Sequence, residues 1–234
     1  MGNMAQENSI QDNATENIEG ESHEQPVQQG EQAQQTQTEH EPLTVTYERL
    51  RHTDDAALLH DFATRQLPDR KDQSAFSRAT ALLEAVAGNA HTLLEDRIFL
   101  AQTMPFPNIL VKLSQDSDWQ VRQAVAANSN DKNWLVGRLT KDEREEVRAA
   151  ALLNPQTSWK MRMEGAEDSS NTAQTLDYLS RFGVDEDMQG PAVLTSMIRR
   201  AVALNPSTTQ ETLERLAQDT DESVRHAVEE RMGR

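Results

Sequence analysis

Leu213-Glu214-Arg215-Leu216-Ala217-Gln218-Asp219-Thr220-Asp221-Glu222-Ser223-Val224-Arg225-His226-Ala227-Val228 decides the reading of this chain, because its wording recurs. Leu110, Leu113, Asp116-Ser117-Asp118 and Val121-Arg122-Gln123-Ala124-Val125 repeat it upstream. Leu139, Asp142 and Val147-Arg148-Ala149-Ala150-Ala151 repeat it again, and Ile198-Arg199-Arg200-Ala201-Val202 carries the second half alone. Arg122, Arg148, Arg199 and Arg225 stand 26, 51 and 26 residues apart, so 51 reads as two steps with the missing position near Gln174. A further step back from Arg122 reaches Arg97. A fixed period between about 20 and 50 residues predicts a stacked array, here about six copies from Thr92 to the C-terminus.

Each copy reads as two short helices. Leu110 and Leu113, or Leu213 and Leu216, are apolar at helical spacing, and Asp116, Asp142, Asp168 and Asp219 close that half. Asp118 and Asp221 stand where an N-cap carboxylate accepts backbone N–H bonds at the start of the second half. That half is rich in Ala and Val, which suits a closely packed inner helix. Asn128, Asn154 and Asn205 end it, through a left-handed residue or a following proline (Pro155, Pro206). Helices of two to three turns are unstable alone, so neighbouring copies must supply the stability. Asp and Arg recur six residues apart as Asp116/Arg122, Asp142/Arg148 and Asp219/Arg225. With Arg199, they predict a ladder in which each Arg bonds the Asp of its own or the next turn.

The pattern Val-Arg-x-x-Val-Ala-x-Asn-Pro-x-Thr, preceded by Leu-x-x-Leu-Ala-x-Asp, resembles the leucine-rich repeat variant family, a HEAT-like bacterial repeat. Residues 199 to 208, 213 to 228 and 121 to 157 carry the resemblance; 158 to 197 match poorly. The resemblance implies an all-α solenoid wound as a right-handed superhelix, the short helices partly 3₁₀. A founding member of that family holds an iron–sulfur cluster on cysteines outside the repeats. This chain has no cysteine, so no such cofactor is carried over.

Residues 1 to 46 hold nine of the acidic residues and no Lys or Arg. Their composition, with almost no large apolar side chain, predicts a disordered acidic tail. Residues 47 to 91 read as an N-terminal helical cap. Asp54 or Asp55 opens a helix through Leu58, Leu59 and Phe62, and a second helix spans Gln73 to Ala87. Thr92-x-x-Glu95 reads as a capping box for the helix that follows. The repeat array then occupies 92 to 234, with 158 to 197 degenerate. There Asn171 to Phe182 reads as a longer helix, followed by an acidic loop over 183 to 191.

Net charge is −16, which weighs against nucleic-acid phosphates or an anionic membrane surface as partners. No apolar run approaches the length of a membrane span, and no basic segment followed by an apolar run opens the chain, so a cytoplasmic location is expected. The six histidines are scattered without metal-ligand spacing, and no nucleophile elbow or phosphate loop occurs. A non-catalytic protein or peptide scaffold is therefore the expected function. Trp134 and Trp159, 25 residues apart, read as the starts of two first helices, with Trp119 in a turn. With Gln120, Gln123, Glu145, Arg200 and Glu222 they are the candidate contact residues. The alternative, a nucleic-acid-binding array, requires Arg144, Arg148, Arg199, Arg200 and Arg225 to converge on one face.

Overall fold

The computed structural model describes residues 41–130 and 134–233. Among them the chain is all-helical, with thirteen helices and no strand. They are α1 (Leu43–His52), α2 (Ala56–Thr64), α3 (Gln73–Ala87), α4 (Leu94–Thr103), α5 (Pro107–Leu113), α6 (Trp119–Ala127) and α7 (Val136–Leu139). There follow α8 (Glu145–Leu153), α9 (Trp159–Glu167), α10 (Ala173–Leu179), α11 (Ala192–Leu204), α12 (Gln210–Leu216) and α13 (Glu222–Met232). The expected tail lies outside the described residues up to position 40. Its expected end at 46 is corrected: α1 begins at Leu43, because Thr46 and Leu50 are buried against the body of the protein.

Side chains at the helix starts explain many of the boundaries. Asp55, Asp72, Asp118, Ser158, Thr172, Thr209 and Asp221 each accept a backbone N–H from the first turn of the helix they open. Such a cap satisfies a donor that the helix cannot, and contributes about 1 kcal/mol. The capping box at Thr92 does not form. Thr92 Oγ1 donates instead to the Val86 carbonyl at 2.6 Å, back toward the end of α3. Asn171 to Phe182 is not one helix either; α10 stops at Leu179, and Gly183 with φ of 78° turns the chain into the loop.

Packing runs mainly between each helix and the next but one. The most extensive contacts are α4 with α6, α6 with α8, α9 with α11, α11 with α13, and α1 with α3. The short helices α5, α7, α10 and α12 lie beside these pairs. Asparagines tie the ends together. Asn128 Nδ2 donates to the Ala101 carbonyl of α4 at 2.7 Å, Asn154 Nδ2 to the Ala126 carbonyl of α6 at 2.7 Å. Asn205 does the same to Ala166 of α9 at 2.7 Å, and Asn89 to Leu50 of α1 at 2.7 Å. Asn128, Asn154 and Asn205 have extended, not left-handed, backbones. They are selected by the carbonyls they reach, since those C-terminal carbonyls have no partner within their own helix.

This packing lapses twice. Among the described residues no asparagine ending α4 or α9 donates back to a carbonyl of α3 or α8; each pair follows directly in sequence through a short link, and Asn171 instead bridges Arg148 of α8 and the Gly165 carbonyl of α9. The buried apolar residues divide at the second of these places. One core cluster runs from Leu50 to Ala151 and a second from Leu152 to Val228, so the seam crosses α8. Arg162 on α9 then takes the position expected near Gln174. Arg97, Arg122, Arg148, Arg162 and Arg225 are each the fourth residue of their helix, and Arg199 is the eighth of the longer α11. The steps from Arg148 are thus 14 to Arg162 and 37 to Arg199, which together give the same 51 residues.

Candidate functional site

Arg97, Arg122, Arg148, Arg199 and Arg225 are engaged in bonds within the protein. Arg122 Nε donates to Asp142 Oδ2 at 2.8 Å, twenty residues onward, and its Nη1 donates to the Asp116 carbonyl at 2.9 Å. Arg199 Nε meets Asp219 Oδ2 at 2.7 Å, with both side chains buried. Arg97 Nη1 meets Asp116 at 2.6 Å, and Arg225 Nη1 meets the Asp219 carbonyl at 2.6 Å. Each Asp also accepts the N–H two residues on, from Asp118, Arg144 and Asp221 respectively. Burial raises the Asp142 carboxyl, but the Arg122 guanidinium and the Arg144 N–H outweigh it and hold the group below its ordinary value. Arg148 departs from the pattern. It bonds Asn171 Oδ1 at 3.2 Å and the Ser170 carbonyl at 2.8 Å rather than Asp168.

Arg162 departs further. The residue twenty positions on is Phe182, whose ring centroid lies 4.5 Å from the guanidinium carbon; the Trp159 ring lies 4.8 Å away. Its Nη2 donates to the Asn154 carbonyl at 3.0 Å, and its Nε has no hydrogen-bond partner among the described residues. Phe182 also replaces Asp at the carbonyl, which accepts Arg199 Nη1 at 2.7 Å. With 6% of Arg162 exposed, burial lowers the guanidinium below its ordinary value, and nearby Tyr178 acts in the other direction. The rings supply a cation–π attraction of about 2 kcal/mol when desolvated.

An open cleft of about 580 Å³ lies over the seam. Its floor is Ala127 of α6 with Ala149, Ala150 and Leu153 of α8, and α10 brings Gln174 and Tyr178 to the opposite wall. Leu153 is 41% exposed. Glu145 and Glu146 stand at the start of α8, and the lining contains no Lys or Arg. Arg144 Nη2 contacts Glu146 at 2.9 Å and keeps that carboxyl below its ordinary value; Glu145 makes no ion pair among the described residues.

Of the candidate contact residues, Gln123 and Glu145 meet in this cleft; Trp119, Gln120, Trp134, Trp159, Arg200 and Glu222 are outside its lining. The tryptophans do not form one strip. Trp119 begins α6 rather than lying in a turn, under the Arg144 guanidinium at 5.1 Å. Trp159 begins α9, which packs on α11 as an inner helix rather than a first one, and its ring is set edge-on to Phe182. Trp134 precedes the single turn of α7 and is 68% exposed. Gln120, Arg200 and Glu222 are exposed on α6, α11 and α13. The arginines required for nucleic acid do not gather into one open face. Arg148 and Arg199 are buried in their own bonds, and Arg144 faces Glu146.

Leu153, Thr172, Gln174 and Tyr178 were not identifiable as site residues from spacing. They meet only because α10 returns beside α8 after the shift at α9. Among the described residues no group of acidic or histidine side chains is arranged to hold a metal ion, and no helix is long and apolar enough to cross a membrane. Compared with protein-family models, curated proteins and solved structures, the chain matches none.

Proposed function

We propose that this chain is a non-catalytic scaffold for a protein or peptide partner, built as a HEAT-like α-solenoid of leucine-rich-variant type and acting in the cytoplasm. The open cleft across α6, α8 and α10 carries the reading. It leaves a leucine and three alanines facing solvent between polar walls, the composition of a recognition surface with an apolar centre and a polar rim. Helix-after-next packing supports the solenoid form, because in a stacked array each short helix is held by its neighbours. The engagement of Arg122, Arg148 and Arg199 in internal pairs favours a protein partner over a nucleic acid, which binds through free cationic groups.

Site-specific photo-crosslinking tests this. A photoreactive side chain at Ala149 or Leu153 is expected to capture a discrete protein from extracts of the source cell. The same probe at Glu214, exposed on α12, is expected not to. Equal capture from both positions, or none from the cleft, overturns the proposal.

A further inference from the structure

We propose that the cleft between α8 and α10 takes a basic amphipathic segment of its partner, with apolar side chains on Leu153 and the alanine floor and Lys or Arg toward Glu145 and Glu146. This rests on the protein-binding reading and names the partner's chemistry.

The first argument is the origin of the cleft. Two helices are packed on both sides by helix-after-next neighbours, α6 by α4 and α8, and α11 by α9 and α13. At α8 the pattern slips: α9 follows at once and packs on α11, and the boundary between the two cores crosses α8 between Ala151 and Leu152. Leu153 at the end of α8 is exposed, as Ala127 and Leu204 are at the same place on α6 and α11, and at α8 it lines the cleft. Exposed apolar area in a concave site, ringed by polar groups, is where association gains most from removing water.

Charge is the second argument. The lining carries the two carboxylates of Glu145 and Glu146 and no cationic side chain, in a chain of net charge −16. Arg144 partly neutralises Glu146 from outside the cleft, whereas Glu145 makes no ion pair among the described residues. Low-dielectric walls concentrate the field of such carboxylates, so a cationic segment is drawn in and an anionic one turned away. The spacing suits a segment rather than a small molecule, because the apolar floor extends from Ala127 on α6 to Leu153 on α8 and the cleft is open to solvent.

The experiment uses the full-length protein and fluorescein-labelled peptides read by anisotropy. The probe has Leu and Lys at helical spacing; comparison peptides replace all Lys by Glu, or all Leu by Ser. Glu145→Lys and Leu153→Asn are each expected to weaken the Leu/Lys probe at least fivefold. Glu211→Lys, which changes the net charge equally on α12, is expected to change it less than twofold. Both comparison peptides are expected to bind at least tenfold more weakly. Equal loss for Glu145→Lys and Glu211→Lys marks attraction to overall charge and overturns the proposal, as does unchanged binding by Leu153→Asn or strong binding by either comparison peptide. If the cleft crosslinks a partner while these peptides fail, the scaffold reading stands and the basic-segment proposal falls.

Discussion

Arg199 and Arg162 hold equivalent places on helices that pack against each other, yet their charges are managed in opposite ways. Arg199 on α11 meets a buried carboxylate, Asp219, through two nitrogens at 2.7 and 3.1 Å. Arg162 on α9 finds Phe182 where that carboxylate would be, and lies among aromatic rings with one carbonyl bond. A buried ion pair makes each partner necessary to the other, whereas a cation among rings leaves no complementary charge behind when it is removed. The difference coincides with the slip in packing. The Asp-bearing turn before α13 has no equivalent before α11, where the chain instead makes the loop over 183 to 191.

The largest expected effect comes from breaking the paired member. Arg199→Met leaves the Asp219 side chain buried without its partner, and should cost about 3–5 kcal/mol in urea unfolding. A loss under about 1 kcal/mol would mean that Asp219 finds water or another donor, and the comparison would fail. Asn205→Ala comes next. It removes the bonds from the residue ending α11 to the carbonyls of Ala166 in α9 and of Asp168 just beyond it, and should cost about 1–3 kcal/mol because the buried Ala166 acceptor loses its donor. Amide exchange should then quicken most at the end of α9.

Arg162→Met sharpens the contrast. Methionine fills a similar volume among Trp159, Tyr178 and Phe182, and no carboxylate is stranded. Its expected effect is within about 1 kcal/mol of zero, and stabilisation is allowed, because an unpaired buried charge costs desolvation. A loss as large as that of Arg199→Met would show that the rings and the Asn154 carbonyl hold Arg162 as firmly as an ion pair does.

Much of the helical framework was legible because local chemistry repeats locally. Val-Arg placed α6, α8 and α13, Asp118 and Asp221 capped as expected, and Gln73 to Ala87 is one helix. The slip was hidden by arithmetic, since 14 and 37 residues preserve the total that two regular steps require. Its signal was nevertheless present: Trp159-Lys160-Met161-Arg162 repeats the placing of Trp119-Gln120-Val121-Arg122. The asparagine role was misread because a helix-ending Asn suggests a left-handed backbone, while its reach to another helix is a tertiary fact. For the same reason only Gln123 and Glu145 of the expected contact residues reached the cleft. Tyr178 and Thr172 come from a segment more than twenty residues beyond Glu145, brought there by packing that no local period encodes.

The smallest expected difference is in acid, and it separates the two kinds of arginine without removing either fold element. Asp142, paired with Arg122, has its carboxyl held below the ordinary value in the folded state. The folded protein therefore binds its proton less readily than the unfolded chain. The stability from this group is present above the unfolded carboxylate range and is lost as pH falls through the lower folded value. Asp142→Asn should shrink the fall in stability between neutral pH and pH about 3. Arg162→Met should leave that fall unchanged, because neither Trp159 nor Phe182 takes up a proton there. Urea midpoints for wild type and both variants across that range make the test. Parallel curves for wild type and Asp142→Asn would show that the Arg122 pair does not lower the proton affinity of Asp142, and the electrostatic half of the contrast would be lost. A flattened curve for Arg162→Met would mean that Arg162 favours the ionised form of some carboxylate after all, through a coupling longer than its hydrogen bonds.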